Sequence, residues 1–259
     1  MAKTREIYQW IENLAPKTMA EDWDPVGEQV YFEEEEIHGI LITMDVTKDS
    51  IEYALKNECN TILSHHPMFF KPLYQWTSGD YFSDLLETLI LNRISVLSAH
   101  TNLDRAKNGV NDALAKTIGM EVIDGLNIDP EKGSLGLIGY VRKQNPTEFE
   151  TYIKKALNPF ILHWYGKKPE KIEKIGICGG SGSDFMKDAL AHGVDVYITG
   201  DMKYHDGQWA YENNLSVLDI GHYDSEKPIL YRLKGLLEKN FPSIPIKIYD
   251  NNLFQISIV

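Results

Sequence analysis

The chain has 259 residues, 43% of them hydrophobic and 25% charged, and a formal net charge of −12. That length allows one large domain or two modest ones with real cores, and the acidity works against non-specific nucleic-acid binding, which needs a basic footprint. No apolar run reaches the roughly 20 residues of a membrane span. The first residues read as an amphipathic helix rather than a signal peptide, and only Cys59 and Cys178 are present. The expectation is a cytoplasmic protein whose two thiols are small buried residues.

Ile7, Trp10, Ile11 and Leu14 fall at helical spacing over residues 4–14. Ala20 to Phe32 reads as a loop containing Trp23-Asp24-Pro25-Val26-Gly27. Strands are expected at Gly39–Met44, Thr61–Ser64 and Ile94–Ala99. The helices between them run from a cap at Asp45 or Thr47 and over Tyr81–Asn92. Met68–Trp76 is an aromatic-rich loop; base stacking is one use for it, and a packed loop or subunit contact is the simpler one. A helix over Asn108–Thr117 follows, and Leu126–Gly133, with its Asn, Asp, Pro and Gly, marks a domain boundary.

Beyond it, strands at Leu135–Arg142, Phe160–Tyr165, Ile172–Cys178, Val194–Thr199 and Leu215–Ile220 alternate with helices. The last helix runs over Ser225–Lys239, and late strands are expected near Ile244–Ile248 and Phe254–Ile258. Such alternation implies an α/β fold with largely parallel or mixed sheets. The halves also resemble each other: Ile42 falls on Ile177, Leu63 on Ile198, His100 on His222 and Asp104 on Glu226. The expected lobes are 1–128 and 129–259, related by pseudo-duplication, each three-layered.

Five of the eight histidines, His65, His66, His100, His205 and His222, lie just after apolar strands, beside Asp104, Asp201 and Glu226. Ligand sites in open α/β sheets form beyond the carboxyl ends of strands. In an extended chain His65 and His66 would diverge, serving two ions or one ion through a turn. Imidazole with carboxylate suits Zn, Mn, Fe, Co or Ni better than Ca, and two acids with three histidines can serve a pair of ions with positions left open. Asp201 and His205, four apart, read either as an acid–base pair or as a helix-start cap with a supporting histidine. Gly179-Gly-Ser-Gly182 reads as a tight strand-to-helix turn, with a phosphate cradle as the sharper alternative.

Several motifs occur together: Ser-His-His-Pro at 64–67, His-Thr-Asn-Leu-Asp at 100–104, Asn-Gly-Val-Asn-Asp at 108–112, Cys-Gly-Gly-Ser-Gly at 178–182, Thr-Gly-Asp at 199–201 with His205, and Gly-His-Tyr-Asp-Ser-Glu at 221–226. In this order they resemble the Nif-three-like dinuclear-metal family, whose members are commonly labelled GTP cyclohydrolase 1 type 2 homologues. The resemblance implies two similar α/β lobes, a toroidal homohexamer and a metal site between the lobes. It implies two divalent ions per chain, held by His65, His66 and Asp104 of the first lobe and His222 and Glu226 of the second, with Glu226 the candidate bridge. It places His100 and His205 near the metals, supporting the ligands or contacting substrate, and in a hydrolase either could carry protons. Trp23–Gly27 is similar to the family's Trp-Asp-Asn-x-Gly segment, with Pro25 in place of asparagine. The region 125–171 is too short for the middle domain inserted in longer relatives.

Two functions follow as expectations. One is a metal-dependent hydrolase of a purine nucleotide, GTP ring opening being the named candidate. The other is a non-catalytic metal-binding regulator or scaffold. Neither involves a membrane or nucleic acid.

Overall fold

A computed structural model describes residues 2–252. Its elements, in chain order, begin with α1 (Thr4–Leu14), β1 (Gly27–Val30), β2 (Ile40–Thr43), α2 (Lys48–Lys56), β3 (Thr61–Ser64), α3 (Tyr81–Leu91), β4 (Ser95–Ser98), α4 (Thr101–Arg105) and α5 (Val110–Thr117). They continue with β5 (Glu121–Asp129), β6 (Gly133–Gln144), α6 (Pro146–Leu157), β7 (His163–Tyr165), β8 (Ile172–Ile177), α7 (Met186–Ala191) and β9 (Val196–Thr199). The last are α8 (Tyr204–Glu212), β10 (Val217–Asp219), α9 (His222–Glu226), α10 (Pro228–Asn240) and β11 (Ile246–Tyr249). The strand expected near Phe254–Ile258 lies outside the described residues. No described helix is long and apolar enough to cross a membrane.

The chain divides into two compact units. The first comprises Met1–Lys107 and Leu230–Asn251; the second is built on Asn108–Ile229. The expected division at 128/129 falls inside a hairpin, because Asp129 pairs with Gly133 and β5 runs antiparallel to β6. Of the residues read as a boundary, Pro130 lies in the turn of that hairpin, Asp129 and Gly133 close it, and Asn127 pairs with Leu135 within it.

The first unit holds a five-stranded sheet in the order β1-β4-β3-β2-β11. Strands β2, β3 and β4 run parallel, β11 joins parallel to β2, and β1 closes the other edge antiparallel to β4. Every residue of β2, β3 and β4 is buried, as befits parallel strands covered on both faces. Leu41, Ile51, Ile62, Leu89 and Val96 anchor this core, and burying each such side chain contributes about 1.5–3 kcal/mol. Thr47 caps α2 reciprocally: its hydroxyl accepts from the Ser50 amide at 3.1 Å, and its own amide donates to the Ser50 hydroxyl at 2.8 Å.

The second unit holds a six-stranded sheet in the order β5-β6-β8-β9-β10-β7. Strands β8, β9 and β10 are parallel, while β7 lies antiparallel to β10 and β6 antiparallel to β8. Two cores flank it, one around Phe149, Ile153, Ile175 and Ile198, the other around Tyr197, Met186 and Val217. Both cysteines are buried, and burial pushes the Cys59 thiol up to about 11.

The sheets share a topology. β1-β4-β3-β2 in one corresponds to β7-β10-β9-β8 in the other, three parallel strands with an antiparallel strand beyond the last. In each, a five-residue helix, α4 or α9, follows the third parallel strand. This is the mixed α/β architecture and internal pseudo-duplication expected from the sequence.

Candidate metal centre

In the first unit, β3 ends at Ser64 and the chain bends at His65 and His66. The bend brings the two imidazoles together instead of sending them to opposite faces, with ring centroids 5.0 Å apart. His100, at the end of β4, completes the cluster, its ring 5.2 Å from His65 and 5.5 Å from His66. One ligand nitrogen from each of these three histidines lies within 4.8 Å of the others, close enough to hold an ion. Asp104 lies one turn beyond His100, and its Oδ1 is 3.6 Å from Nε2 of His65.

Each imidazole is anchored through Nδ1. The His65 nitrogen lies 2.9 Å from the carbonyl oxygen of Ala99, that of His66 2.8 Å from Oδ1 of Asp45, and that of His100 3.0 Å from Oδ2 of Asp24. A carbonyl oxygen and an ionised carboxylate only accept, so Nδ1 is the donor in each contact, as it is in a histidine that ligates metal through Nε2. Metal-ligating histidines are commonly held this way, and the outer partner fixes ring orientation and raises ligand basicity.

The motif residues around His100 set its position. Asp24 is buried and accepts from the Thr101 amide at 3.0 Å and from the Thr101 hydroxyl. Burial opposes its charge, but the donors from His100 and Thr101 outweigh that and hold the carboxyl below its ordinary range. Buried Asn102 accepts from the His100 amide at 2.9 Å and donates to the carbonyl of Ala15 at 2.7 Å.

In the second unit, α9 places His222 and Glu226 one turn apart, with Nε2 of His222 3.2 Å from Oε2 of Glu226. Nδ1 of His222 donates to Oδ2 of Asp201 at 2.7 Å. Burial resists a charge on this imidazole, but Glu226 and Asp201 together push its pKa up to about 11. The two carboxylates therefore favour positive charge at this imidazole. Asp201 itself has a left-handed backbone, φ +56°, which aspartate tolerates better than most residues. Asp219 pins the flanking segments, accepting from the Met202 amide at 3.0 Å and the Gly221 amide at 2.8 Å.

The Gly179–Gly182 segment is a turn whose amides are already engaged. Gly179 donates to Asn111 Oδ1 at 3.0 Å, Gly180 to Ser225 Oγ at 2.8 Å and Gly182 to Thr199 Oγ1 at 2.9 Å. Neither Ser181 nor Ser183 caps the short helix that follows, whose cap is Gly182. Gly180 has φ +67°, and a Cβ there would run into the Glu226 carboxylate. Glycine makes room for that carboxylate.

His205 is exposed on α8, its Nδ1 3.4 Å from Gln208 Oε1, while the Asp201 carboxylate engages His222. Sequence reasoning assigned no role to Asp24 and considered Asp45 only as a cap. The signal for Asp24 was its place in a family segment; for Asp45 it was an acid directly after the strand beside the one that delivers His66.

The Duf34/NIF3 (NGG1p interacting factor 3) family profile matches residues 2–252. A GTP cyclohydrolase 1 type 2 homolog of Clostridium acetobutylicum is 33% identical over 260 residues, 97% of each chain, and one of Campylobacter jejuni is 31% identical, covering 98% of this chain and 99% of its own. Among solved structures, a Staphylococcus aureus hypothetical protein superposes with a TM-score of 0.92 at 28% identity, covering 99% of both chains. Reduced HcgD from Methanocaldococcus jannaschii gives 0.85 at 31% identity, over 96% of this chain and 98% of that one. The chain belongs to the Duf34/NIF3 family.

Proposed function

We propose that this protein is a dinuclear-metal hydrolase acting on a purine nucleotide. His65, His66, Asp104, His222 and Glu226 would hold two divalent ions, with Zn, Mn, Fe, Co and Ni all compatible with the imidazole–carboxylate donor set. The observation that carries this reading is the holding of His65, His66 and His222 by acceptors at Nδ1, the outer-partner arrangement common to metal-ligating histidines. When bound, the ions supply Lewis acidity toward a substrate oxygen and acidify water.

The chain's own residues orient and exchange protons around that chemistry. Asp24 holds His100 in one tautomer, so His100 presents an acceptor nitrogen toward the substrate. Exposed His205 is the second proton carrier. Glu226 would hold metal alongside His222, and the working form is a cytoplasmic homohexamer. The GTP cyclohydrolase 1 type 2 homolog names of the relatives supply GTP as the first substrate to test.

A second reading, a non-catalytic metal-binding regulator or scaffold hexamer, is favoured by one observation. The amides of Gly179, Gly180 and Gly182 are consumed internally and do not form a phosphate cradle.

The deciding experiment measures metal content and turnover together, on GTP, other nucleotides and phosphodiesters, for the wild type, His65→Ala and Glu226→Ala. Hydrolysis that disappears with the metal supports the enzyme. About two ions per chain without turnover, whichever of Zn, Mn, Fe or Co is supplied, assigns the regulatory role. Retention of full metal content by both variants refutes the ligand set.

A further inference from the structure

Two large aromatic side chains stand at the rim of the first unit's histidine cluster, and nothing in the metal chemistry requires them. Trp23 is 62% exposed and Phe70 is 52% exposed. Both approach the same imidazole: the His100 ring is 6.1 Å from Trp23 at 71°, and 5.7 Å from Phe70 at 83°. Both contacts are T-shaped rather than stacked, and more than half of each aromatic residue's surface is exposed.

The backbones that carry them are fixed. Asp24, next to Trp23, is buried beneath His100 and Thr101. Gln29 then ties the two loops to each other: its Nε2 donates to the carbonyl of Pro25 at 2.5 Å, and its Oε1 accepts from the amide of Phe69 at 3.1 Å. One side chain thus braces both segments, and each exposed ring sits next to a braced residue. Leaving large apolar rings in water forfeits their burial energy, and holding them still forfeits rotamer entropy as well. A planar ligand recovers both, because every nucleobase-like ring has a π face and stacking tolerates chemical variety.

We propose that Trp23 and Phe70 form a clamp for a planar heteroaromatic ring, holding the substrate over His100 so that its anionic group reaches toward the metal ligands. This deepens, and rests on, the purine-nucleotide reading, but commits only to a flat heteroaromatic ring bearing phosphate. Tyr74 lies in the same loop at 92% exposure and is outside the clamp, which makes it the internal control.

The test uses metal-loaded full-length protein and calorimetric titration with GTP, flavin mononucleotide and inorganic tripolyphosphate. Trp23→Ala and Phe70→Ala are expected to weaken the ring-bearing probes about tenfold or more. Trp23→Phe should restore most of the loss, Tyr74→Ala should change nothing, and tripolyphosphate should bind all variants alike at unchanged metal content. If flavin mononucleotide binds through the clamp and GTP does not bind the wild type, the clamp stands and the purine reading falls. GTP binding that is indifferent to Trp23 and Phe70 overturns the clamp while leaving the purine reading intact. Equal losses for tripolyphosphate and GTP, or no binding of either ring-bearing probe to wild type, also overturn it.

Discussion

Nδ1 of His222 donates to Oδ2 of Asp201 at 2.7 Å, although the two residues lie 21 positions apart, His222 at the start of α9 and Asp201 in the segment after β9. The aspartate is held by its own left-handed backbone and by the Asp219 carboxylate, which binds the amide of the following residue, Met202. His222 is therefore aimed before any ion arrives, and its Nε2 faces Glu226. Asp45 does the same for His66.

The first prediction concerns this aiming. Asp201→Ala should weaken divalent-metal binding by about 10–100-fold, the usual cost of losing an outer partner of a ligating histidine. Asp201→Asn, whose amide oxygen still accepts from Nδ1, should lose less. Competition against a chromophoric chelator reads both. Asp201 is exposed, but it holds a left-handed backbone and helps charge His222, so Asp201→Asn, which keeps the backbone preference, is the variant in which thermal unfolding should move least. Metal affinity equal to wild type in both variants would remove Asp201 from the site.

The second prediction follows from the raised His222 pKa. Burial works against the imidazolium, but Glu226 and Asp201 lift its pKa from the ordinary 6.5 to about 11. In metal-free protein the folded state thus binds this proton more tightly than the unfolded chain. The resulting stabilisation is fully present below pH 6.5 and is lost as pH rises through about 11. In chelator, the stability gap between wild type and His222→Gln should shrink steadily across that window. Metal must displace the same proton, so titration with Zn²⁺ near neutral pH should release it, as calorimetry in buffers of different ionisation enthalpy will measure. No proton release would contradict the assignment.

How far the sequence revealed these features depends on the range over which each is determined. β2, β3 and β4 are continuous apolar runs with punctuation at both ends, and their limits match closely. β1, Gly-Glu-Gln-Val, has no such run and exists because it pairs with the exposed edge of β4. β5 starts with four exposed residues, and only pairing with β6 makes it a strand. The return of β11 to the edge of β2 is a long-range event that no local pattern encodes. The site divides likewise. Histidines at strand ends are legible from composition and motif, whereas the Asp24–His100 pair spans 76 positions and becomes visible only once the chain has folded.

That pair gives the third prediction. Asp24 accepts hydrogen bonds from His100 and Thr101 in a buried setting, and its pKa lies below the ordinary 3.8 despite burial. A depressed carboxyl contributes stability above the unfolded value and loses it as pH falls through the folded one. Asp24→Asn should cost about 1–3 kcal/mol near neutral pH, the penalty for an ill-matched buried polar partner. The difference from wild type should narrow below about pH 4, where the unfolded carboxyl begins to protonate. Urea unfolding at several pH values tests this, and a pH-independent difference would contradict it.

The fourth prediction separates backbone strain from site occlusion. Gly180 and Gly193 have nearly the same left-handed backbone, φ +67° and +63°. A Cβ on Gly193 meets nothing within 4 Å, while one on Gly180 meets the Glu226 carboxylate and comes within 3.3 Å of His222 Nε2. Gly193→Ala should therefore cost only the conformational term, about 1–2 kcal/mol, and leave metal content unchanged. Gly180→Ala should carry a similar stability cost and lose most of its metal, because Glu226 must move. Metal analysis beside thermal unfolding distinguishes the two. If Gly180→Ala keeps wild-type metal content, Glu226 in the orientation seen here is not a ligand. If Gly193→Ala loses metal too, strain alone propagates to the site and the steric explanation fails.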